Sequence, residues 1–160
     1  MEQFTHIDEH GQAHMVDIGD KPSTERIAVA SGRIRMRPET LEQITSFEVS
    51  KGDVLGVARL AGIMAAKKTS ELIPLCHPLR LSNVTIDFTP DRPKSEIVVQ
   101  AMAKALDRTG VEMEALVAVS IAALTVYDMC KSYDRDMQIL SIQLLEKRGG
   151  KSGHYRRDAT

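Results

Sequence analysis

Residues 84–105 read Val-Thr-Ile-Asp-Phe-Thr-Pro-Asp-Arg-Pro-Lys-Ser-Glu-Ile-Val-Val-Gln-Ala-Met-Ala-Lys-Ala. Val84, Ile86 and Phe88 alternate with Thr85, Asp87 and Thr89, the period of a strand with one covered face. Pro90 to Pro93 is a turn, and alternation resumes from Ile97 to Ala105, which predicts an antiparallel partner. A long apolar helix lies on each side of this pair. Upstream, Val54, Val57, Ala58, Ala61, Met64 and Ala65 follow helical spacing within Val54–Leu72, with Leu55, Leu60 and Ile63 on other faces. Pro74 stops that helix. Downstream, Glu112 to Tyr127 is apolar nearly all round.

Outermost are two more strands. From Ile27 to Arg37, Ala28, Ala30, Ile34 and Met36 share one face and Arg33, Arg35 and Arg37 the other, with Gly32 permitting a bulge. Pro38 then opens a short helix. Asp136 to Glu146 carries Ile139, Leu140, Ile142 and Leu144. The order β–α–β–β–α–β predicts an α+β, ferredoxin-like sandwich, with helices packed on an antiparallel sheet. Two helices apolar on more than one face exceed what one sheet covers, which predicts self-association, the alternative being cover by loops and the N-terminal arm.

The 160 residues suit one domain, with an irregular arm over 1–25 and a flexible tail over 149–160. A net charge of −1 argues against a general affinity for nucleic acid backbones. Aromatic content of 4% with no Trp makes base-stacking platforms a poor fit. Cys76 and Cys130 form neither a metal motif nor a secreted disulfide framework. Residues 1–20 lack an apolar signal core, and Ala115 to Val126 is too short to span a bilayer. A cytoplasmic protein that binds no membrane is expected.

Lys51 sits where the first long helix begins, in Ser50-Lys51-Gly52-Asp53, a segment resembling a capping box. A lysine in a first turn opposes the helix dipole, and such local conflicts tend to mark function; the bland alternative is a solvated lysine. Asp128 ends an almost wholly apolar second helix, three residues before Lys131; the apolar surroundings and the dipole oppose its charge and Lys131 favours it. That tension suits an acid–base pair and equally suits a local ion pair. His77 lies in a loop held between Pro74 and Pro78. Arg108, Glu112 and Glu114 surround the second helix's start, where acids fit the dipole and can also accept hydrogen bonds from a guanine-like base. Being two apart, Glu112 and Glu114 are expected to point apart.

Two motifs are discounted. His6, His10 and His14 have ligand-like spacing without a supporting apolar face. Gly149-Gly150-Lys151-Ser152-Gly153 echoes the end of a phosphate loop, but Leu145 stands where the earlier glycine is required and no helix follows. It reads as a flexible basic tail.

Residues 51–69, KGDVLGVARLAGIMAAKKT, running on to Pro74-Leu-Cys-His-Pro78, resemble the signature of the molybdenum cofactor biosynthesis protein C family. So do Arg108-Thr-Gly-Val-Glu-Met-Glu114, Tyr127-Asp-Met-Cys-Lys131, residues 149–153, Met15-Val-Asp17 and Thr24-Glu-Arg26. The resemblance implies conversion of 3′,8-cyclo-7,8-dihydro-GTP to cyclic pyranopterin monophosphate with release of pyrophosphate. It implies Lys51, Asp128 and Lys131 as the catalytic group. Arg26 and His77 would lie near the phosphates, and Leu75, Cys76, Glu112, Met113 and Glu114 would line the substrate pocket. It further implies a hexamer of three dimers with pockets at subunit interfaces. The sequence requires no cofactor or protein-bound metal, and magnesium is compatible with the substrate phosphates. The alternative is a non-catalytic, ferredoxin-like oligomeric module that binds a nucleotide or pterin and regulates.

Overall fold

A computed structural model describes residues 4–46 and 52–158. The elements are β1 (Thr24–Arg35), α1 (Pro38–Thr45), α2 (Val54–Ala66), α3 (Thr69–Leu72), β2 (Leu81–Asp91), β3 (Glu96–Asp107), α4 (Glu112–Cys130), β4 (Gln138–Arg148) and β5 (Tyr155–Arg156). The strands form one antiparallel sheet in the order β2-β3-β1-β4-β5. The β2–β3 hairpin is longer than its alternating cores, and its turn is a 3-10 segment at Arg92–Lys94, where Asp91 accepts from Lys94 N. This α+β sandwich is the predicted ferredoxin-like arrangement, with the register of β1 against β4 shifting around Gly32 as expected of a bulge.

The core lies between the sheet and α4. Ala28, Ala30 and Ile34 of β1, Val99, Ala101 and Ala103 of β3, and Ala115, Ala118, Val119, Ala122 and Val126 of α4 are fully buried. Small side chains bring the layers close. A Cβ on Gly62 of α2 would lie 2.8 Å from the Ala118 carbonyl oxygen, so α2 and α4 touch backbone to side face there. On its outer side α2 leaves Val57, Leu60 and Met64 about half exposed, and α4 adds Leu124. Described residues of one chain therefore leave this apolar surface uncovered.

Three sequence readings are corrected. The predicted helix over Val54–Leu72 is two: the Thr69 hydroxyl donates to the Ala66 carbonyl at 3.0 Å, and Lys68 N donates to Ala65 O, turning the chain after α2. α4 continues through Asp128 to Cys130, which makes it long and apolar enough to cross a bilayer by composition, although it packs against α2 and the sheet. The capping box gives way to a simpler cap, in which Asp53 is itself the N-cap and its carboxylate accepts from Gly56 N at 2.8 Å. In the tail, β5 pairs Tyr155 with Lys147 and Arg156 with Glu146.

Candidate active site

Thr109 and Gly110 lead into α4, whose first turn carries Glu112 and Glu114. Two adjoining cavities, of about 380 and 620 Å³, meet there and share Thr5, Lys21, Thr109, Gly110 and Glu112. Into the smaller one the 73–80 loop brings Leu75, Cys76 and His77, and α4 brings Glu112, Met113 and Glu114. The expectation that Glu112 and Glu114 diverge is thus corrected. The cavity surrounds the end of the helix rather than one face, so the two-residue spacing does not separate them.

Glu114 is 4% exposed. Burial raises its pKa; a hydrogen bond from its own backbone opposes this, and Glu112 and Asp107 add to the rise, leaving it at about 7. Near neutrality this carboxyl can both give and take a proton. Burial, then Glu114 and Glu112, push the Cys76 thiol up, which keeps it protonated rather than nucleophilic. Glu112 is instead neutralised by Lys147, whose Nζ lies 2.6 Å from its Oε1.

The larger cavity is cationic. Arg26, Arg108, Lys147, Lys151 and Lys21 line it. Arg26 is 9% exposed and donates from Nε to the Asp107 carbonyl and from Nη2 to the Arg108 carbonyl, each at 3.2 Å. Among the described residues no carboxylate lies within ion-pair distance of it, so its charge is left for a ligand. Arg108 donates to the Gly19 carbonyl at 2.8 Å and so ties the N-terminal arm over this wall.

Asp128 and Lys131 lie at the other end of α4. Lys131 Nζ donates to Asp128 Oδ1 at 2.6 Å, and Asp128 raises the lysine's pKa. The side chains are 67% and 53% exposed, and Asp128 stands in the last turn, on a side of α4 that the described residues leave open. A cavity of about 280 Å³ adjoins Lys131, between Tyr127, Ser132 and Arg135. Sixteen residues separate Glu112 from Asp128 on this helix, about 24 Å at 1.5 Å per residue. The two groups cannot share one pocket within one chain. Lys51 lies outside the described residues. The first turn of α2, Val54 to Val57, contains no lysine.

Residues 15–150 match the model of the MoaC family. The chain belongs to the MoaC family. It is 58% identical over 159 residues to a cyclic pyranopterin monophosphate synthase of Magnetococcus marinus, covering 99% of this chain and 98% of that one. Proteins of the same name from Thermomicrobium roseum and Pelotomaculum thermopropionicum are each 56% identical, covering 99% and 98% of this chain and 95% and 92% of theirs.

Sequence reasoning missed Lys147 and Lys21. Lys147 stood one residue past the predicted strand Asp136 to Glu146, where a lysine reads as a solvated strand end. Its partner Glu112 is 35 residues away, and only the topology joins them. Lys151 was visible, but in a motif set aside because no helix follows it. Among the described residues no group of three or more His, Cys, Asp or Glu side chains is arranged to hold a metal ion.

Proposed function

We propose that this chain is a cyclic pyranopterin monophosphate synthase, a lyase of molybdenum cofactor biosynthesis. Its substrate would be 3′,8-cyclo-7,8-dihydro-GTP and its products cyclic pyranopterin monophosphate and pyrophosphate. Near full-length identity to proteins of that name supports the reading. The observation that carries it at the site is the division of one groove into a carboxyl-lined end and a cationic end. A guanine-type ring offers N–H donors that Glu112 and Glu114 would accept, and a triphosphate needs the charge of Arg26, Arg108, Lys147 and Lys151.

Opening the purine and closing the pterin require proton transfers at the ring, and Glu114, poised near neutrality, is suited to one of them. Closing the phosphate ring expels pyrophosphate, whose developing charge the cationic end would stabilise. His77 would stand between ring and phosphates, in the smaller cavity. Asp128, Lys131 and Lys51 would supply the remaining acid–base groups. Because Asp128 and Lys131 stand about 24 Å along α4 from the pocket, we assign them to the pocket of a second copy. The Val57, Leu60, Met64 and Leu124 surface left uncovered by the described residues favours such an assembly, up to the hexamer of three dimers that the family resemblance implies. Magnesium accompanying the phosphates is compatible with this chemistry, and Cys76 and Cys130, which form no disulfide, suit a cytoplasmic setting.

Incubation of the purified chain with the cyclic GTP-derived substrate tests this. Stoichiometric pyrophosphate and a pterin product are expected. Binding without pyrophosphate release would instead assign a regulatory binding module.

A further inference from the structure

Gly149 and Gly150 follow β4 in the left-handed region, with φ of 98° and 78°. Their nearest neighbours differ, although an added Cβ at Gly149 would also come within 3.3 Å of Arg26 Cδ. A Cβ on Gly149 would lie 2.0 Å from the Glu25 carbonyl oxygen, the backbone of β1. A Cβ on Gly150 would lie 1.7 Å from Arg26 Nη1 and 2.6 Å from its Cζ. Arg26 donates to the carbonyls of Asp107 and Arg108 through Nε and Nη2, so the bare Cα of Gly150 closes the Nη1 side of the guanidinium. The same turn, joined by Gly153 N donating to Gly150 O at 3.2 Å, carries Lys151 and Ser152 into the cationic cavity.

We propose that Gly150 is a positioning residue, whose missing side chain lets the tail turn seat the Arg26 guanidinium toward the substrate's phosphates. The proposal rests on the reading of that cavity as the phosphate end. It accounts for how a buried arginine with no carboxylate partner among the described residues is held: two carbonyls on one side and a glycine backbone on the other. It also separates two adjacent glycines by consequence. A methyl at 149 meets strand backbone, which yields only if the sheet moves. A methyl at 150 meets the far end of a flexible side chain, which leaves its carbonyls while the fold stays. Substitution at 149 therefore costs stability, and substitution at 150 costs anion affinity. Gly153, with φ of 70° and nothing within 4 Å of an added Cβ, isolates the cost of backbone strain.

The test uses the full chain, calorimetric titration with inorganic tripolyphosphate, and thermal melting. Gly150→Ala is expected to weaken tripolyphosphate binding at least about tenfold, the loss of one charge-assisted contact, while melting with Gly153→Ala. In an Arg26→Ala background the same substitution should change affinity less than about twofold, because both act on one group. With substrate, Gly150→Ala should raise KM more than it lowers kcat. Affinity equal to that of Gly153→Ala, losses that multiply in the double variant, or a melting point well below that of Gly153→Ala would each overturn the proposal. Arg26→Ala with wild-type affinity would fail earlier, refuting the cavity as the phosphate end. Wild-type loss in Arg26→Ala with none in Gly150→Ala would keep that reading and refute the role of Gly150 alone.

Discussion

The two ends of α4 carry similar chemistry in opposite surroundings. At the N-terminal end, Glu112 pairs with Lys147 at 2.6 Å, and both side chains are 25% exposed. At the C-terminal end, Asp128 pairs with Lys131, also at 2.6 Å, and both are more than half exposed. Distance does not distinguish the pairs; water does. At the closed end the surroundings set the charge, as in Glu114 near pH 7. At the open end an ion pair in water is energetically slight and chemically ordinary. If Asp128 and Lys131 do chemistry, something must cover them, and in the assembly proposed above a second copy would supply both the cover and a pocket.

The sharpest way to break this comparison is Asp128→Asn. Turnover is expected to fall about a thousandfold, within the range for loss of a general acid–base group, with melting and assembly unchanged. Full activity would leave Asp128 as a surface ion pair. Mixing decides whether the ends cooperate between chains. Asp128→Asn and Glu114→Gln, each weak alone, should recover about a quarter of wild-type activity when co-assembled, since half the sites in mixed dimers escape both changes. Activity no greater than the sum of the separate variants would confine each site to one chain.

Lys51→Ala should follow, with catalysis down about a hundredfold and stability unchanged, because the first turn of α2 holds no lysine whose dipole cost could be relieved. Lys51→Arg should rescue little, since a guanidinium hardly ever gives up a proton. Strong rescue in steady-state kinetics would make Lys51 a fixed charge on phosphate.

Glu114 sharpens the closed end through pH. Its folded value of about 7 stands above the ordinary 4.5, so the unfolded chain loses this proton first as pH rises. Stability is then lost between about pH 4.5 and 7, by about 3 kcal/mol, and the cost persists above that window. Glu114→Gln should lack this decline. Parallel melting-against-pH curves for the two proteins would show that Glu114 ionises normally.

The architecture was legible because alternation and helical spacing survive in single segments, as in Val84–Phe88 and Ala115–Val126. Element ends were harder. Thr69 turns the chain with a side-chain hydrogen bond that apolar spacing does not register, and Asp53 caps where Ser50 had seemed to. The site was legible as residues but not as places. Glu112, His77 and Asp128 stood out in the sequence, but only the fold puts the first two in one cavity and the third at the far end of the helix. Lys147 and Gly150 escaped because their meaning lies in Glu112 and Arg26, partners distant along the chain.

The smallest expected effect is also the most direct measure of the difference between the ends. Lys147→Met leaves Glu112 half-buried without its counter-charge, and should cost about 1–2 kcal/mol in denaturant unfolding. Lys131→Met removes an equally short contact, but both groups there are already hydrated, so the denaturation midpoint should not move detectably. Turnover should nevertheless collapse in Lys131→Met. A residue that contributes nothing to folding and much to rate is kept for chemistry. If Lys131→Met destabilises as much as Lys147→Met, the open end is already covered in the folded protein, and the contrast between the two ends fails. If neither substitution changes rate or stability, both pairs are surface ornament and the pocket must work without them.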